Sequence, residues 1–296
     1  MTMFKKYLQL ARLPNAFTAP TNVVAGYLTV TPISELNYAN LIMLMASSVL
    51  LYVSGVMFND YFDIEIDRKE RPFRPLPSGA ITKQRTMQIA GVLMASAITL
   101  VFFVSWSSFV IAIFLSCMIF AYDYRLKNNK VFSPITMGGT RFLNVIMGAS
   151  PALQLPFQSN LSELVFVAGS IFAYIVVITL FSKKELSGIK SRIHTIILFS
   201  VIYAIIASIT IATFLGFFKT WSLVILIPYT VIMSIIFKQA LSGDASSIQR
   251  VIKNMVISII ILDGVFVSGV AGLSYGLPTL LFLLPSILLS RKFYVT

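Results

Sequence analysis

The chain has 296 residues, of which 57% are hydrophobic and only 11% are charged, and its mean hydropathy is +0.86. A soluble domain carries about 25% charged residues, so this composition excludes a soluble globular protein and predicts an integral membrane protein. The net charge of +12 would suggest nucleic acid for a soluble protein, but lysine and arginine concentrate in the cytoplasmic loops of membrane proteins. We therefore expect no nucleic-acid partner. The single cysteine, Cys117, excludes an intramolecular disulfide.

Apolar runs of roughly 20 residues, the length of a membrane-crossing helix, follow one another along the chain. They lack the alternation of barrel strands, so we predict an all-α bundle of about nine transmembrane helices plus a short C-terminal apolar helix, in one domain, 1–296. The start of the chain lacks a cleavable signal pattern and is expected to be a retained cytoplasmic lead-in. The predicted spans cover 14–31, 40–60, 86–105, 107–124, 134–154, 163–181, 194–217, 221–238 and 251–272, with a shorter apolar piece at 277–290.

The positive charges test this arrangement of spans. All of the 23 lysines and arginines except Arg141 and Lys219 fall on one side of the predicted bundle. Because cytoplasmic loops are enriched in these residues, the asymmetry predicts a cytoplasmic N-terminus, and the inner membrane if the source is bacterial. A short tenth crossing would return the basic C-terminal end to the cytoplasm.

Scarce carboxylates gather where the second predicted span ends, in the stretch VMFNDYFDIEIDRKERPFRPLPSGA at 56–80. Five of the chain's 11 acidic residues lie there, namely Asp60, Asp63, Glu65, Asp67 and Glu70. If the helix continues, Asp60, Asp63 and Asp67 share one face, and Asn59 borders it. Stacked carboxylates repel, so the pattern predicts a cation among them, and oxygen ligands on neighbouring turns suit Mg²⁺. The alternative is a solvated helix end whose acids pair with the basic residues that follow.

The pattern NDxxDxxxD, formed by Asn59, Asp60, Asp63 and Asp67, resembles the first aspartate-rich motif of the UbiA-type intramembrane prenyltransferase family. Other pieces resemble the same family in order along the chain. They are RPLPSG at 74–79, RLPN at 12–15, the spacing of Tyr122 and Lys127, and the fifth-span pattern of Arg141, Asn144 and Gly148. The resemblance covers the chain to about residue 190.

This resemblance implies nine helices around a central lipid-open cavity whose cytoplasmic end binds a prenyl diphosphate through Mg²⁺. It implies that Asn59, Asp60, Asp63 and Asp67 hold the metal. The isoprenyl group would pass to a small cyclic or aromatic acceptor as charge develops on the departing diphosphate. We expect further roles for Arg74, Lys127, Arg141 and Glu185 as catalytic groups and for Arg12, Asn144, Lys183 and Lys184 as substrate-binding groups.

The loop between the sixth and seventh predicted spans departs from the family pattern. Family members carry a second aspartate-rich motif there, whereas FSKKELSGIKSR at 181–192 has no aspartate and one carboxylate, Glu185. Its lysines could neutralise diphosphate, although as point charges without a metal's coordination geometry. We therefore expect one tightly held Mg²⁺ at most. This loop and the closing RKFYVT at 291–296 are similar to the EboC-like branch, and a non-catalytic lipid-binding or transport component is the alternative function.

Two ionisable residues lie inside predicted spans, Arg141 in the fifth and Asp263 in the ninth. A charge within the membrane is costly and usually faces a cavity or a partner. Asp263 is expected either to neutralise Arg141 or to accept a proton near the substrate, and a direct ion pair is favoured because removing one buried charge strands the other. Asp123, beside two cations at the end of the fourth span, is expected to form a solvated ion pair.

Overall fold

The computed structural model describes residues 3–153, 160–185, 187–189 and 191–291. These residues form fourteen α-helices, three short 3₁₀ helices and no strand, which confirms the all-helical class. The α-helices are α1 Met3–Leu10, α2 Leu13–Ala16, α3 Thr18–Val30, α4 Tyr38–Phe62, α5 Ile64–Glu70, α6 Lys83–Phe102, α7 Trp106–Tyr124, α8 Phe132–Ala149, α9 Leu161–Ser182, α10 Arg192–Phe214, α11 Trp221–Ala240, α12 Ala245–Ala271, α13 Leu273–Leu280 and α14 Leu283–Ser290. The 3₁₀ helices are Ile33–Glu35, Leu126–Asn128 and Ser150–Ala152.

Within the described part of the chain, eight segments are long and apolar enough to cross a membrane, by length and composition. They are α4, α6, α7, α9, α10, α11, α12 and the consecutive pair α13 and α14. The pair corresponds to the predicted short tenth span. Two more predicted spans correspond to α3, which has only 13 residues, and to α8, which has 18. The protein is therefore an integral membrane protein, and the sequence places its helices to within a few residues.

The outer faces of the bundle expose large apolar side chains. Phe103, Ile193, Phe214 and Leu284 are each at least 60% exposed. In water such a surface would favour association, whereas lipid chains cover it at no cost. Aromatic residues such as Phe181, Phe199 and Phe266 fill the interior instead, packed between α9, α10, α11 and α12. The fold therefore has a protein core and a separate lipid-facing shell.

Helix α3 lies at the centre of the bundle, because all 13 of its residues are buried. Its backbone touches that of α8 at two glycines. A Cβ atom on Gly26 would overlap the carbonyl oxygen of Val145, and one on Gly148 would overlap the carbonyl oxygen of Val23. Small residues permit such close approach between helices in membranes. The contact brings the polar residues of α3 within reach of α8.

Two loops at one end of the bundle cross through a second pair of glycines. The backbone N–H of Ile189 donates to the carbonyl oxygen of Gly243 over 2.8 Å. Gly188 and Gly243 both have positive φ, 70° and 72°, and a Cβ on either would overlap the other loop. This crossing fixes the loop after α9 against the loop before α12, and thereby the position of Glu185.

Candidate functional site

A cavity of about 370 Å³ lies between α2, α3, α4, α7, α8, α9 and α12. Much of its wall is apolar, with Leu51, Leu115, Ile119, Ile175 and Ile259 among the lining side chains. Polar and charged side chains line the rest of the wall, and convergent polar groups beside apolar surface are typical of a site that orients a ligand. Polar side chains at the cavity wall, together with buried polar residues behind the wall, form two groups, one at the C-terminal end of α4 and one around Arg141 of α8.

The first group forms what we call the acidic end, namely Asn59, Asp60, Asp63 and Asp67. The predicted continuous helix is interrupted there, because α4 ends at Phe62 and α5 begins at Ile64. Asp63 lies at the junction with φ −90° and ψ 5°. The i to i+4 hydrogen bonds still pass through it, since Asp63 N–H donates to Asn59 and Asp67 N–H donates to Asp63. The four residues therefore stay close together despite the break.

The break separates the acidic end into buried and cavity-lining members. Asp60 and Asp67 are only 3% and 1% exposed and do not line the cavity. Asn59 and Asp63 do line it, and 22% of the Asp63 side chain is exposed. All four residues were expected to hold a metal, but only Asn59 and Asp63 face the cavity.

Arginines neutralise the two buried aspartates. Arg12 pairs with Asp60 over 2.7 Å, and Arg74 pairs with Asp67 over 2.8 Å and with Asp60 over 3.7 Å. Arg71 adds a contact of 3.5 Å to Asp67. The acids therefore pair with basic residues, as one sequence interpretation expected, but these two are buried and not solvated. A buried carboxylate without such partners would be strongly destabilising.

The same ion pairs set the pKa of the arginines. Burial alone would lower the pKa of Arg12, but the surrounding Asp60, Tyr52 and Asp67 raise it above its ordinary value. Burial and the neighbouring Arg12 lower the pKa of Arg74, against the pull of Asp60 and Asp67. Both guanidinium groups stay charged at neutral pH, because an arginine titrates far above it.

Lys127 contacts the two cavity-lining members. Its Nζ lies 2.7 Å from Asp63 Oδ1 and 3.2 Å from Asn59 Oδ1. The carbonyl and carboxylate oxygens of Asn59 and Asp63 thus already converge on one positive charge. Asp123, four residues before Lys127, lines the cavity beside them and is 3% exposed. It makes no ion pair within the described ranges, so the expectation of a solvated ion pair is wrong.

A single Mg²⁺ fits this donor set. No group of three or more histidine, cysteine, aspartate or glutamate side chains is arranged to hold a metal within the residues described. Mg²⁺ needs few protein ligands, since it keeps several waters and binds substrate phosphates. The ammonium of Lys127 is a stand-in cation that shows where Asn59 and Asp63 favour positive charge. Asp60 and Asp67 are committed to arginines instead.

The loop after α9 brings one predicted residue to the cavity and leaves two outside. Glu185 lines the cavity, its Oε2 lies 3.4 Å from Arg71, and its buried Oε1 has no hydrogen-bond partner among the residues described. Contrary to expectation, Lys183 and Lys184 are exposed and do not line the cavity. Lys183 Nζ donates to the carbonyl oxygens of Asn129 and Lys130, which holds it away. The residue at 190 and the closing segment 292–296 lie outside the described residues.

The second polar group is the inner network, which consists of Thr18, Thr21, Asn22, Arg141 and Asp263. Arg141 donates to Asn22 Oδ1 over 3.1 Å and to Thr18 Oγ1 over 3.0 Å. Asp263 accepts from Thr21 Oγ1 over 2.6 Å and from Asn22 Nδ2 over 2.8 and 3.0 Å. The expected direct ion pair between Arg141 and Asp263 is therefore wrong, because the amide of Asn22 lies between them.

Arg141 and Asn144 both line the cavity, as expected for polar residues on one face of α8. Asn144 is already engaged, since its Nδ2 donates to the carbonyl oxygen of Ala19 and its Oδ1 accepts from Ser48. The Arg141 guanidinium lies 5.4 Å from the centre of the Tyr52 ring. Asn144 thus connects α8 to α3 and α4, and Arg141 places a positive charge at the cavity wall.

Sequence reasoning missed two residues of the site and misjudged a third. Arg71, which joins Glu185 to Asp67, and Asn22, which bridges the inner network, were missed, whereas Asp123 was expected in a solvated ion pair and is instead a cavity carboxylate. The sequence holds a signal for Asn22, because an asparagine within an apolar span is as costly to bury as other polar groups and requires a partner.

Comparison with known proteins gives consistent matches. A family model described as the UbiA prenyltransferase family matches residues 19–260. A relative from Saccharolobus solfataricus, named digeranylgeranylglyceryl phosphate synthase, is 25% identical over 278 residues, covering 87% of this chain and 95% of the relative. A relative of the same name from Methanococcoides burtonii is 33% identical over 149 residues, covering 47% of this chain and 53% of the relative. The chain thus spans about half the length of several such relatives.

Two solved structures share the fold. A UbiA homolog from Aeropyrum pernix K1 superposes with a TM-score of 0.69 at 14% identity, covering 86% of this chain and 96% of that chain. A UbiA homolog from Archaeoglobus fulgidus, bound to GPP and Mg²⁺, superposes with a TM-score of 0.56 at 13% identity, covering 93% and 99%. At these identities the likeness establishes the fold alone.

Proposed function

The chain belongs to the UbiA prenyltransferase family, and we propose that it is a Mg²⁺-dependent prenyltransferase that moves an isoprenyl group from a prenyl diphosphate to a small acceptor. One observation carries the proposal. Asn59 and Asp63 converge on a positive charge beside Arg71 and Arg74 at the wall of a largely apolar cavity. The distribution of lysine and arginine supports an acidic end that faces the cytoplasm.

In this proposal the acidic end binds the diphosphate of the donor. Asn59 and Asp63 would hold one Mg²⁺, which when bound neutralises charge on the departing diphosphate. Lys127 would move its ammonium from Asp63 to a phosphate oxygen, because a diphosphate carries more negative charge than one carboxylate. Arg74, fixed by Asp60 and Asp67, would approach the phosphates with an orientation that needs no rearrangement.

The chemical step is the transfer of the isoprenyl group, and the apolar wall of the cavity protects it from water. The C1–O bond of the prenyl diphosphate breaks with its electron pair leaving on diphosphate, and the acceptor nucleophile forms the new bond to C1. The apolar side chains exclude water, which would otherwise capture the allylic cation. The acceptor loses a proton in the process. We assign that proton to Asp123, a buried cavity carboxylate without an ion-pair partner among the residues described.

Two classes of acceptor fit the proposal. The sequence resemblance favours a cyclic or aromatic ring, whereas the relatives named digeranylgeranylglyceryl phosphate synthase point to a glyceryl phosphate. A non-catalytic lipid-binding role is the second candidate function. Its support is that Glu185 is the one carboxylate of the loop after α9, where the family carries a second aspartate-rich motif.

Release of diphosphate by the purified protein tests the proposal. Geranyl, farnesyl and geranylgeranyl diphosphates would be supplied with both classes of acceptor, with and without Mg²⁺. We expect Mg²⁺-dependent release that Asp63→Asn abolishes and Glu65→Gln leaves intact, because Glu65 is exposed and contacts only Arg68 within the described ranges. Donor binding without release would favour the non-catalytic role, and absence of donor binding would overturn both candidates.

A further inference from the structure

Arg141 differs from the other arginines that line the cavity. Arg12, Arg71 and Arg74 each have a carboxylate oxygen within 4 Å. Arg141 has none among the described residues, and its two hydrogen-bond acceptors, on Asn22 and Thr18, are neutral. A buried charge of this kind normally has a direct counter-ion. Its positive charge is therefore available to a ligand in the cavity.

The position of Arg141 separates it from the acidic end. Its guanidinium lies 5.4 Å from the ring of Tyr52, which is seven residues before Asn59 on α4, or about 10 Å along that helix at 1.5 Å per residue. An anion bound at Arg141 would therefore be a different group from a diphosphate bound at Asn59 and Asp63. Arg141 is 7% exposed, and two of its five guanidinium N–H groups are accounted for by Asn22 and Thr18.

Asp263 controls this arginine without reaching the cavity. It is fully buried, and both of its contacts with Asn22 are made through the amide nitrogen. A carboxylate accepts hydrogen bonds and cannot donate them, so it fixes the amide with Nδ2 toward Asp263 and Oδ1 toward Arg141. The negative charge of Asp263 thus lies near enough to favour the charged form of Arg141. Because Asn22 lies between the two residues, the Arg141 guanidinium has no direct ion pair with Asp263.

We propose that Arg141 is a second anion-binding site in the cavity, positioned by Asp263 through Asn22, and that it takes the carboxylate or phosphate of the acceptor. This inference rests on the proposed function, which supplies the acceptor. It adds that the acceptor carries a carboxylate or a phosphate. A small anionic group held at Arg141 directs the remainder of the acceptor toward the acidic end, where the donor carbon would lie. Asp263 is then a positioning residue and not a catalytic one.

A double variant separates this role from simple charge neutralisation. Asn22→Asp with Asp263→Asn exchanges two residues of equal size and keeps the net charge of the network. The exchange keeps the hydrogen bond from Thr21 and a hydrogen bond between positions 22 and 263, because the new amide at position 263 can donate to the new carboxylate at position 22 and still accept from Thr21. The carboxylate now contacts Arg141 directly. A network needed only for stability would tolerate this exchange, whereas an anion site would be blocked.

Binding of matched probes is the measurement. One pair is a hydroxybenzoate and its methyl ester, and the other is a monoprenylated glyceryl phosphate and its phosphate-free alcohol. Wild-type protein should bind the anionic member of at least one pair about 10- to 100-fold more tightly than the neutral member, the range expected for a hydrogen bond to a charged group. The pair that shows the difference identifies carboxylate or phosphate.

The double variant and Arg141→Gln should lose this preference, while binding of geranylgeranyl diphosphate with Mg²⁺ changes by less than about threefold. The double variant should also unfold at a temperature near that of the wild type, which keeps the test valid if Arg141→Gln fails to fold. Equal binding of both members of each pair by the wild type, or an unchanged preference in the double variant, would overturn the inference. Anion binding without any prenyl transfer would overturn the proposed function and leave this site standing.

Discussion

The acidic end and the inner network solve the same problem in different ways. Both bury charge in an apolar bundle, but the acidic end pairs each aspartate directly with an arginine or lysine, whereas the inner network inserts Asn22 between Arg141 and Asp263. Direct pairs near the helix ends can exchange partners when a charged ligand arrives. The inserted amide instead holds two charges at fixed places, and one of them stays available to the cavity.

The aspartates of the acidic end also differ from one another in their partners. Asp63 contacts a lysine at the cavity, and Asp67 is enclosed by Arg71 and Arg74. Asp63 can exchange its partner and Asp67 cannot, since removing Asp67 would leave the buried Arg74 and the partly buried Arg71 short of a counter-charge. Residues of one sequence motif therefore differ in what they do.

The largest expected effects separate these two aspartates. Asp63→Asn should lower prenyl transfer by at least about 100-fold with little change in unfolding temperature, because Asp63 is partly exposed and Lys127 keeps its contact with Asn59. Asp67→Asn should lower the free energy of unfolding by about 3 kcal/mol or more, because it breaks a buried pair. Thermal unfolding and diphosphate release measured on both variants check this. Equal destabilisation by the two would contradict the division.

Substitution of Asp123 distinguishes a proton acceptor from a metal ligand. Asp123→Asn keeps the size of the side chain and should lower kcat by about 100-fold, the lower range for general base catalysis, while Mg²⁺-dependent binding of the prenyl diphosphate stays unchanged. A parallel loss of metal-dependent donor binding would instead place Asp123 among the metal ligands. Titration with Mn²⁺, followed by its electron paramagnetic resonance signal, measures the metal directly.

Lys127→Gln tests whether partners exchange at the acidic end. Removing the ammonium frees the oxygens of Asn59 and Asp63, so affinity for Mn²⁺ without any diphosphate should rise by about tenfold, the size of one charge-assisted contact. Affinity for the prenyl diphosphate should fall by a similar factor. Lys130→Gln, three positions away and exposed, is the matched control. Unchanged metal affinity would show that Lys127 does not occupy the place of the cation.

The sequence predicts much of this molecule and fails for identifiable physical reasons. Apolar runs place the helices, and the spacing of the aspartates places the acidic end, because both patterns are local. The pairing of Arg12 with Asp60 is outside any local pattern, since it joins residues 48 positions apart. The bridge from Arg141 to Asp263 could not be predicted for the same reason. It depends on the position that Asn22 of α3 takes when Gly26 and Gly148 bring α3 and α8 together.

The smallest expected effect concerns Glu185, which the acidic end reaches only through Arg71. Gly243→Ala would place a Cβ against the carbonyl of Ile189 and force the loop after α9 to shift. Because Glu185 is on that loop, donor affinity should fall by a few-fold, whereas Gly216→Ala, also at positive φ but in open space, should leave it unchanged. The two variants share the backbone strain and differ only in the loop contact. A difference in donor affinity would therefore show that the loop contributes to the diphosphate site, and equal affinities would confine that site to the residues of α4 and its arginines.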